Sequence, residues 1–166
     1  MGLQDIIEAT ERVGTLDEER RAAFRDELAS FENGDIETFS RTRERLGAES
    51  EALEELRHEL ELELENVDEL IEYADFLSVD QAVRHRDQTV EKLRAHNEHL
   101  RAFHEAMVDA LSVVETNLDD LESDGMDAVE GDPEPHFERA HEALEAHNEA
   151  VEGLGTNMTI LNAYLV

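Results

Sequence analysis

The sequence predicts an all-α protein: an elongated antiparallel up-down-up helical bundle or coiled coil of three long helices, with a short N-terminal helical hairpin that makes one end four-helical. Only 2 prolines and 8 glycines occur among 166 residues, which is typical of long helices with few turns. Apolar residues recur every seven positions along most of the chain, and 40% of all residues are hydrophobic. We therefore expect one domain with a single core over residues 1–166.

The N-terminal helical hairpin is predicted over residues 1–33. Two short helices, about 3–13 and 16–32, would be separated at Gly14, because Thr15 and Glu18 have the spacing of a capping box that starts a helix. The sequence Asn33-Gly34-Asp35 favours the end of the second helix, followed by the N-cap of the next one. The second helix carries enough apolar residues to fold against the first long helix.

Long helices are predicted at 35–77, 79–122 and 135–165, because each segment carries a seven-residue apolar repeat. In chain order the repeats are Phe39, Leu46, Leu53, Leu60, Val67, Ala74; Leu93, Leu100, Met107, Val114, Leu121; and Phe137, Leu144, Val151, Met158, Leu165. A capping box from Ser78 to Gln81 predicts a tight reversal between the first two long helices. Residues 123–134 predict an acidic linker, with Gly125, Gly131 and Pro133 as helix breakers.

Charge is the strongest compositional feature. The chain has 44 acidic and 14 basic residues, a formal net charge of −30, and Lys92 is its single lysine. Such a surface repels phosphate groups, so we expect neither a nucleic-acid partner nor an anionic membrane partner. Many carboxylates with almost no lysine are typical of halophile proteins, chiefly archaeal ones. With no cysteine, no signal-like N-terminus and no apolar run of membrane-spanning length, a cytoplasmic location is expected.

The histidines are the best candidates for chemistry. His104, His141 and His147 border the core stripes, and a metal or small ligand held by them is the alternative interpretation. We favour boundary histidines hydrogen-bonded to neighbouring asparagines, and predict no catalytic residue, no cofactor and no bound metal. The segment Leu93-Arg-Ala-His96-Asn97-Glu98 resembles a second segment, Leu144-Glu-Ala-His147-Asn148-Glu149. We interpret this partial identity as coincidence. A simple reversal at the linker would place His147 level with Leu111.

The C-terminal segment is distinctive because it is uncharged. From Gly153 to Val166 no residue carries a charge, although 35% of the chain does. Apolar surface of this kind must be buried, either in the core or against another chain. We expect Ile160, Tyr164 and Val166 to contact a partner, which would be a second copy in a homodimer or another protein. The sequence thus predicts a non-enzymatic scaffold or adaptor, with a metal- or ligand-binding bundle as the alternative.

Overall fold

The computed structural model describes residues 2–74 and 80–151. Four α-helices and one turn of 3₁₀-helix follow in this order: α1 Gly2–Glu32, α2 Ser40–Ala74, α3 Asp80–Asp124, the 3₁₀ turn Met126–Ala128, and α4 Glu134–Ala150. Within these ranges there is no β-strand, so the all-α prediction is confirmed. None of the helices in these ranges combines the length and the apolar character needed to cross a membrane.

The predicted N-terminal helical hairpin is wrong, because α1 is one continuous helix through Gly14. Its buried stripe shows why the helix does not break there. Ile6, Val13, Arg20 and Glu27 are all buried and lie seven residues apart, so one face stays against the bundle along its whole length. Packing along that face outweighs the cost of a glycine inside a helix, which is about 1 kcal/mol.

The turn between α1 and α2 confirms the predicted helix end at Gly34. Gly34 adopts a positive φ of 75°, and its N–H donates to the carbonyl oxygen of Phe31 at 3.0 Å. The N–H of Asp35 donates to the carbonyl oxygen of Ser30 at 2.9 Å, which completes a Schellman motif. Asp35 is not the N-cap of the next helix, however, because α2 begins only at Ser40.

The start of α2 is capped by carboxylates of other helices. Glu27 of α1 accepts hydrogen bonds from the backbone N–H and the hydroxyl of Thr42, at 2.6 and 2.7 Å. Glu122 of α3 accepts the backbone N–H of Phe39 at 2.7 Å. These contacts satisfy N–H groups that have no partner within α2, and the negative charges suit the positive end of the helix dipole. The true start of α2 is therefore fixed by tertiary contacts.

Neighbouring helices in the chain pack side by side: α1 on α2, α2 on α3, and α3 on α4. One ion pair between each two neighbouring helices shows which residues lie side by side along the bundle: Arg12–Glu55 for α1 and α2, Arg43–Asp119 for α2 and α3, and Arg139–Asp109 for α3 and α4. The predicted repeats supply the main core, with Val114 and Leu144 only partly buried. The buried members are Phe39, Leu46, Leu53, Leu60, Leu100, Met107, Leu121 and Phe137. The core predictions are thus confirmed for these residues, whereas Val114 and Leu144 lie at the edge of the core.

The linker between α3 and α4 runs back along α3. Gly125 has a positive φ of 83°, which turns the chain where α3 ends. The side-chain amide of Asn117 then donates to the carbonyl oxygen of Gly131 at 2.9 Å. A Cβ added to Gly131 would lie only 2.9 Å from a methyl carbon of Val113, so a side chain does not fit there without movement. This contact sets the level at which α4 begins.

Candidate functional site

The structure does not bring the three predicted histidines together. His104 on α3 lies against α2, beside Leu53 and Glu54, and burial lowers its pKa. His141 on α4 is exposed and lies 3.3 Å from Glu145 of the same helix. Only His147 is buried, and its neighbour is His96 of α3. The alternative metal set of His104, His141 and His147 therefore does not form a common site.

The two buried histidines are in direct contact. Nε2 of His147 lies 2.6 Å from Nδ1 of His96, and the two ring centroids are 4.6 Å apart. His96 is fully buried and His147 is 7% exposed. The predicted level of His147, beside Leu111, is wrong by about 22 Å along α3, given 1.5 Å per residue. The cause is the linker, which runs back beside α3 before α4 begins.

Two buried polar residues complete this histidine cluster, which consists of Glu63, His96, Asn97 and His147. The Glu63 carboxylate of α2 lies 3.0 Å from Nε2 of His96, in an orientation that gives no well-directed hydrogen bond. The side-chain amide of Asn97 donates to Glu63 at 3.1 Å and to the carbonyl oxygen of Leu60 at 2.7 Å. The cluster thus joins α2, α3 and α4 across the core.

The proton positions in the cluster follow from its contacts. Nδ1 of His147 lies 3.2 Å from the side-chain oxygen of Asn148. Because that oxygen is a hydrogen-bond acceptor, this contact favours the tautomer of His147 with its proton on Nδ1. Nε2 of His147 then accepts a hydrogen bond from Nδ1–H of His96, and Nε2 of His96 faces the Glu63 carboxylate. Burial and the neighbouring His96 lower the pKa of His147. Neutral His147 is consequently the favoured form in the folded protein.

Two similar sequence segments contain the two histidines of this pair, but their spacing along the chain did not predict that the histidines touch. His96 with Asn97, and His147 with Asn148, are the matching parts of the two similar sequence segments, and the structure brings the two histidines into contact. Glu63 gave no such signal, because it is one of many glutamates in α2. Across residues 2–74 and 80–151, no group of three His, Cys, Asp or Glu side chains is arranged to hold a metal ion.

A second buried polar cluster lies where α1, α2 and α4 approach one another. Nε of Arg20 donates to the Glu49 carboxylate at 2.7 Å, and Asp17 accepts a second hydrogen bond from the same guanidinium. Burial raises the pKa of Glu49 to about 7, although Arg20 acts in the opposite direction. The Arg20 guanidinium also lies 5.2 Å from the ring centroid of Phe137. Arg20 therefore links the buried Glu49 to the first turn of α4.

An open cleft of about 720 Å³ lies beside this cluster, between α1, α3 and the start of α4. Its apolar lining comes from Phe24 of α1, Val114 and Leu118 of α3, and Phe137 of α4. Small-molecule sites are usually concave, largely apolar and of about 300–1,000 Å³. The cleft has the size and the lining of such a site.

The predicted partner-binding residues Ile160, Tyr164 and Val166 lie outside the described residues, as does Ser78 of the predicted capping box. Their contacts remain predictions from the sequence. The described residues end at Val151, two residues before the uncharged segment. Val151 packs against the small apolar cluster of Val67, Val90 and Leu93, at the opposite end of α4 from the cleft.

Compared with protein-family models, with curated proteins and with solved structures, the chain matches none.

Proposed function

We propose that the protein is a non-catalytic interaction protein that pairs with a second copy of itself through its uncharged C-terminal segment. In this proposal the helices form an elongated up-down bundle with left-handed coiled-coil packing. The seven-residue spacing of the buried core positions supports that packing. A second contact for each helix pair supports the up-down order, because residue numbers rise along one helix as they fall along its neighbour. These contact pairs are Arg12–Glu55 with Arg20–Glu49, Arg43–Asp119 with His96–Glu63, and Arg139–Asp109 with His147–His96.

The observation that carries the proposal is the apolar cluster at the end of the described part of α4. Val151 packs on Val67, Val90 and Leu93, and the uncharged segment begins two residues later in the sequence. Among the described residues this cluster is much smaller than the main core. In a protein that is otherwise strongly acidic, a run of apolar residues that follows such a cluster in the sequence favours contact with a second chain.

We place this protein in the cytoplasm of a halophile, on the support of its composition. With a net charge of −30 and one lysine, its surface carboxylates repel one another at low ionic strength. At about 1 M salt the screening length falls to about 3 Å, which removes most of this repulsion. Molar salt is therefore the condition in which association should be measured.

The test is light scattering in molar salt. The unmutated chain should scatter as a dimer of its 18.9 kDa mass, and Ile160→Glu combined with Tyr164→Glu should give a monomer with unchanged helix content by circular dichroism. Two charges at an uncharged contact oppose association because they must be desolvated. The control variant, Ala29→Glu with Thr116→Glu, adds the same charge at exposed positions and should remain a dimer.

A monomer in the unmutated protein would overturn self-association. Loss of helix content in the Ile160→Glu, Tyr164→Glu variant would show that the segment belongs to the protein's own core, and would equally contradict the proposed contact.

A further inference from the structure

The cleft between α1, α3 and α4 has a charge pattern that contrasts with the rest of the protein. Three of the 14 basic residues line it: Arg20, Arg21 and Arg25. Arg20 and Arg21 are adjacent in α1, and Arg25 lies one turn further along the same helix. In a chain with a net charge of −30, this is a concentrated group of cations beside an apolar surface.

Two of these arginines are held in place by neighbouring groups. Arg21 donates to Asp17 at 2.9 Å and to Glu134 at 3.3 Å, and its guanidinium lies 4.4 Å from the ring centroid of Phe137. Arg20 is held by Asp17 and Glu49. Both guanidinium groups are therefore already paired with carboxylates of the protein.

Arg25 differs, because it is exposed and makes no ion pair within the described ranges. Its guanidinium is therefore available to a ligand at the mouth of the cleft. Arginine is well suited to carboxylates, since its planar fork donates two parallel hydrogen bonds. The apolar lining of Phe24, Val114 and Leu118 would receive the uncharged part of the same molecule.

The acidic groups of the cleft restrict the ligand further. Glu18 and Glu134 also line it, so a ligand with several negative charges would be repelled. We propose that the cleft binds a small organic monocarboxylate with an apolar body, such as a medium-chain fatty acid. Its carboxylate would pair with Arg25 and its hydrocarbon part would cover Phe24, Val114 and Phe137. This site is independent of the proposed C-terminal contact.

The probe for the test is octanoate, and 1-octanol is the neutral compound of equal chain length. Isothermal titration calorimetry in molar salt should show one octanoate bound per chain, more tightly than octanol. Arg25→Gln should weaken octanoate about fivefold, the equivalent of about 1 kcal/mol for a charge-assisted hydrogen bond near the surface, and leave octanol unchanged. The matched control is Arg41→Gln, another exposed arginine of the N-terminal half, which should alter neither affinity.

Three results would overturn the proposal: no saturable octanoate binding, equal effects of Arg25→Gln and Arg41→Gln, or equal affinity for octanoate and octanol. Light scattering on the same samples gives a further criterion. Octanoate that binds only while it dissociates a dimer would show that the cleft is a contact between copies, and would contradict a small-molecule site.

Discussion

Arg20→Met is expected to destabilise the folded protein by about 3 kcal/mol at about pH 8, because removing one partner of a buried ion pair leaves the other charge uncompensated. Glu49 is fully buried, and Arg20 is the cation that contacts its carboxylate. Methionine fills most of the arginine's volume, so the loss reports the charge more than a cavity. Urea unfolding in molar salt measures the change in the free energy of unfolding.

The double variant Arg20→Met, Glu49→Gln should recover most of the lost stability, because it removes the stranded charge as well. Arg57→Met is the control, since Arg57 is half-exposed and pairs with exposed glutamates of its own helix. Its cost should stay below about 0.5 kcal/mol. A double variant no more stable than Arg20→Met alone would show that the Arg20–Glu49 pair is not the buried interaction described above.

Glu63→Gln should make the protein less stable in mild acid. Burial and His96 lower the pKa of His147, whereas Glu63 raises it. Because folded His147 binds a proton less readily than the unfolded chain does, stability is present above the ordinary histidine pKa of about 6.5 and falls as the pH decreases through it. Without Glu63 the pKa of His147 should fall further, and this loss should increase by less than about 1 kcal/mol at about pH 6, because that pH lies only about half a unit below the ordinary histidine pKa.

The measurement is urea unfolding in molar salt at about pH 8 and about pH 6, where only the lower value lies below the ordinary histidine pKa of about 6.5. Glutamine keeps the shape of the side chain and still accepts from Asn97, so the variant should be close to the parent at the higher pH. Glu65→Gln, at an exposed position of the same helix, is the matched control and should follow the parent at both values. Identical pH profiles for both variants would contradict the role given to Glu63.

The parts of the fold that the sequence predicted are those that depend on local pattern. Leu53, Leu60 and Leu100 are buried because a seven-residue apolar repeat has a single favourable packing direction. Gly34 ends α1 because its backbone needs a positive φ, which glycine adopts without strain. These features require only information from residues close together in the chain.

The parts that were missed depend on groups brought together by folding. Arg20 and Glu27 occupy buried positions of the α1 stripe, where a pattern of apolar residues cannot identify them. Their partners, Glu49 and Thr42, lie on α2. Likewise the His96–His147 contact depends on how the linker returns along α3. The spacing of apolar residues does not specify that path, and the assumption that the linker only reverses the chain gave the wrong one.

The central feature of this account is the position of α4 along α3. That position brings His147 against His96 and places Phe137 in the wall of the cleft. Cysteine cross-linking tests it directly, because the native chain has no cysteine. Asp109→Cys paired with Arg139→Cys should cross-link efficiently through a short bifunctional reagent, since these residues form an ion pair at 3.5 Å. Asp120→Cys with Arg139→Cys is the matched pair, placed on the same face of α3 about 16 Å further along, and should not react within one chain. Efficient cross-linking of the second pair but not the first would contradict the account.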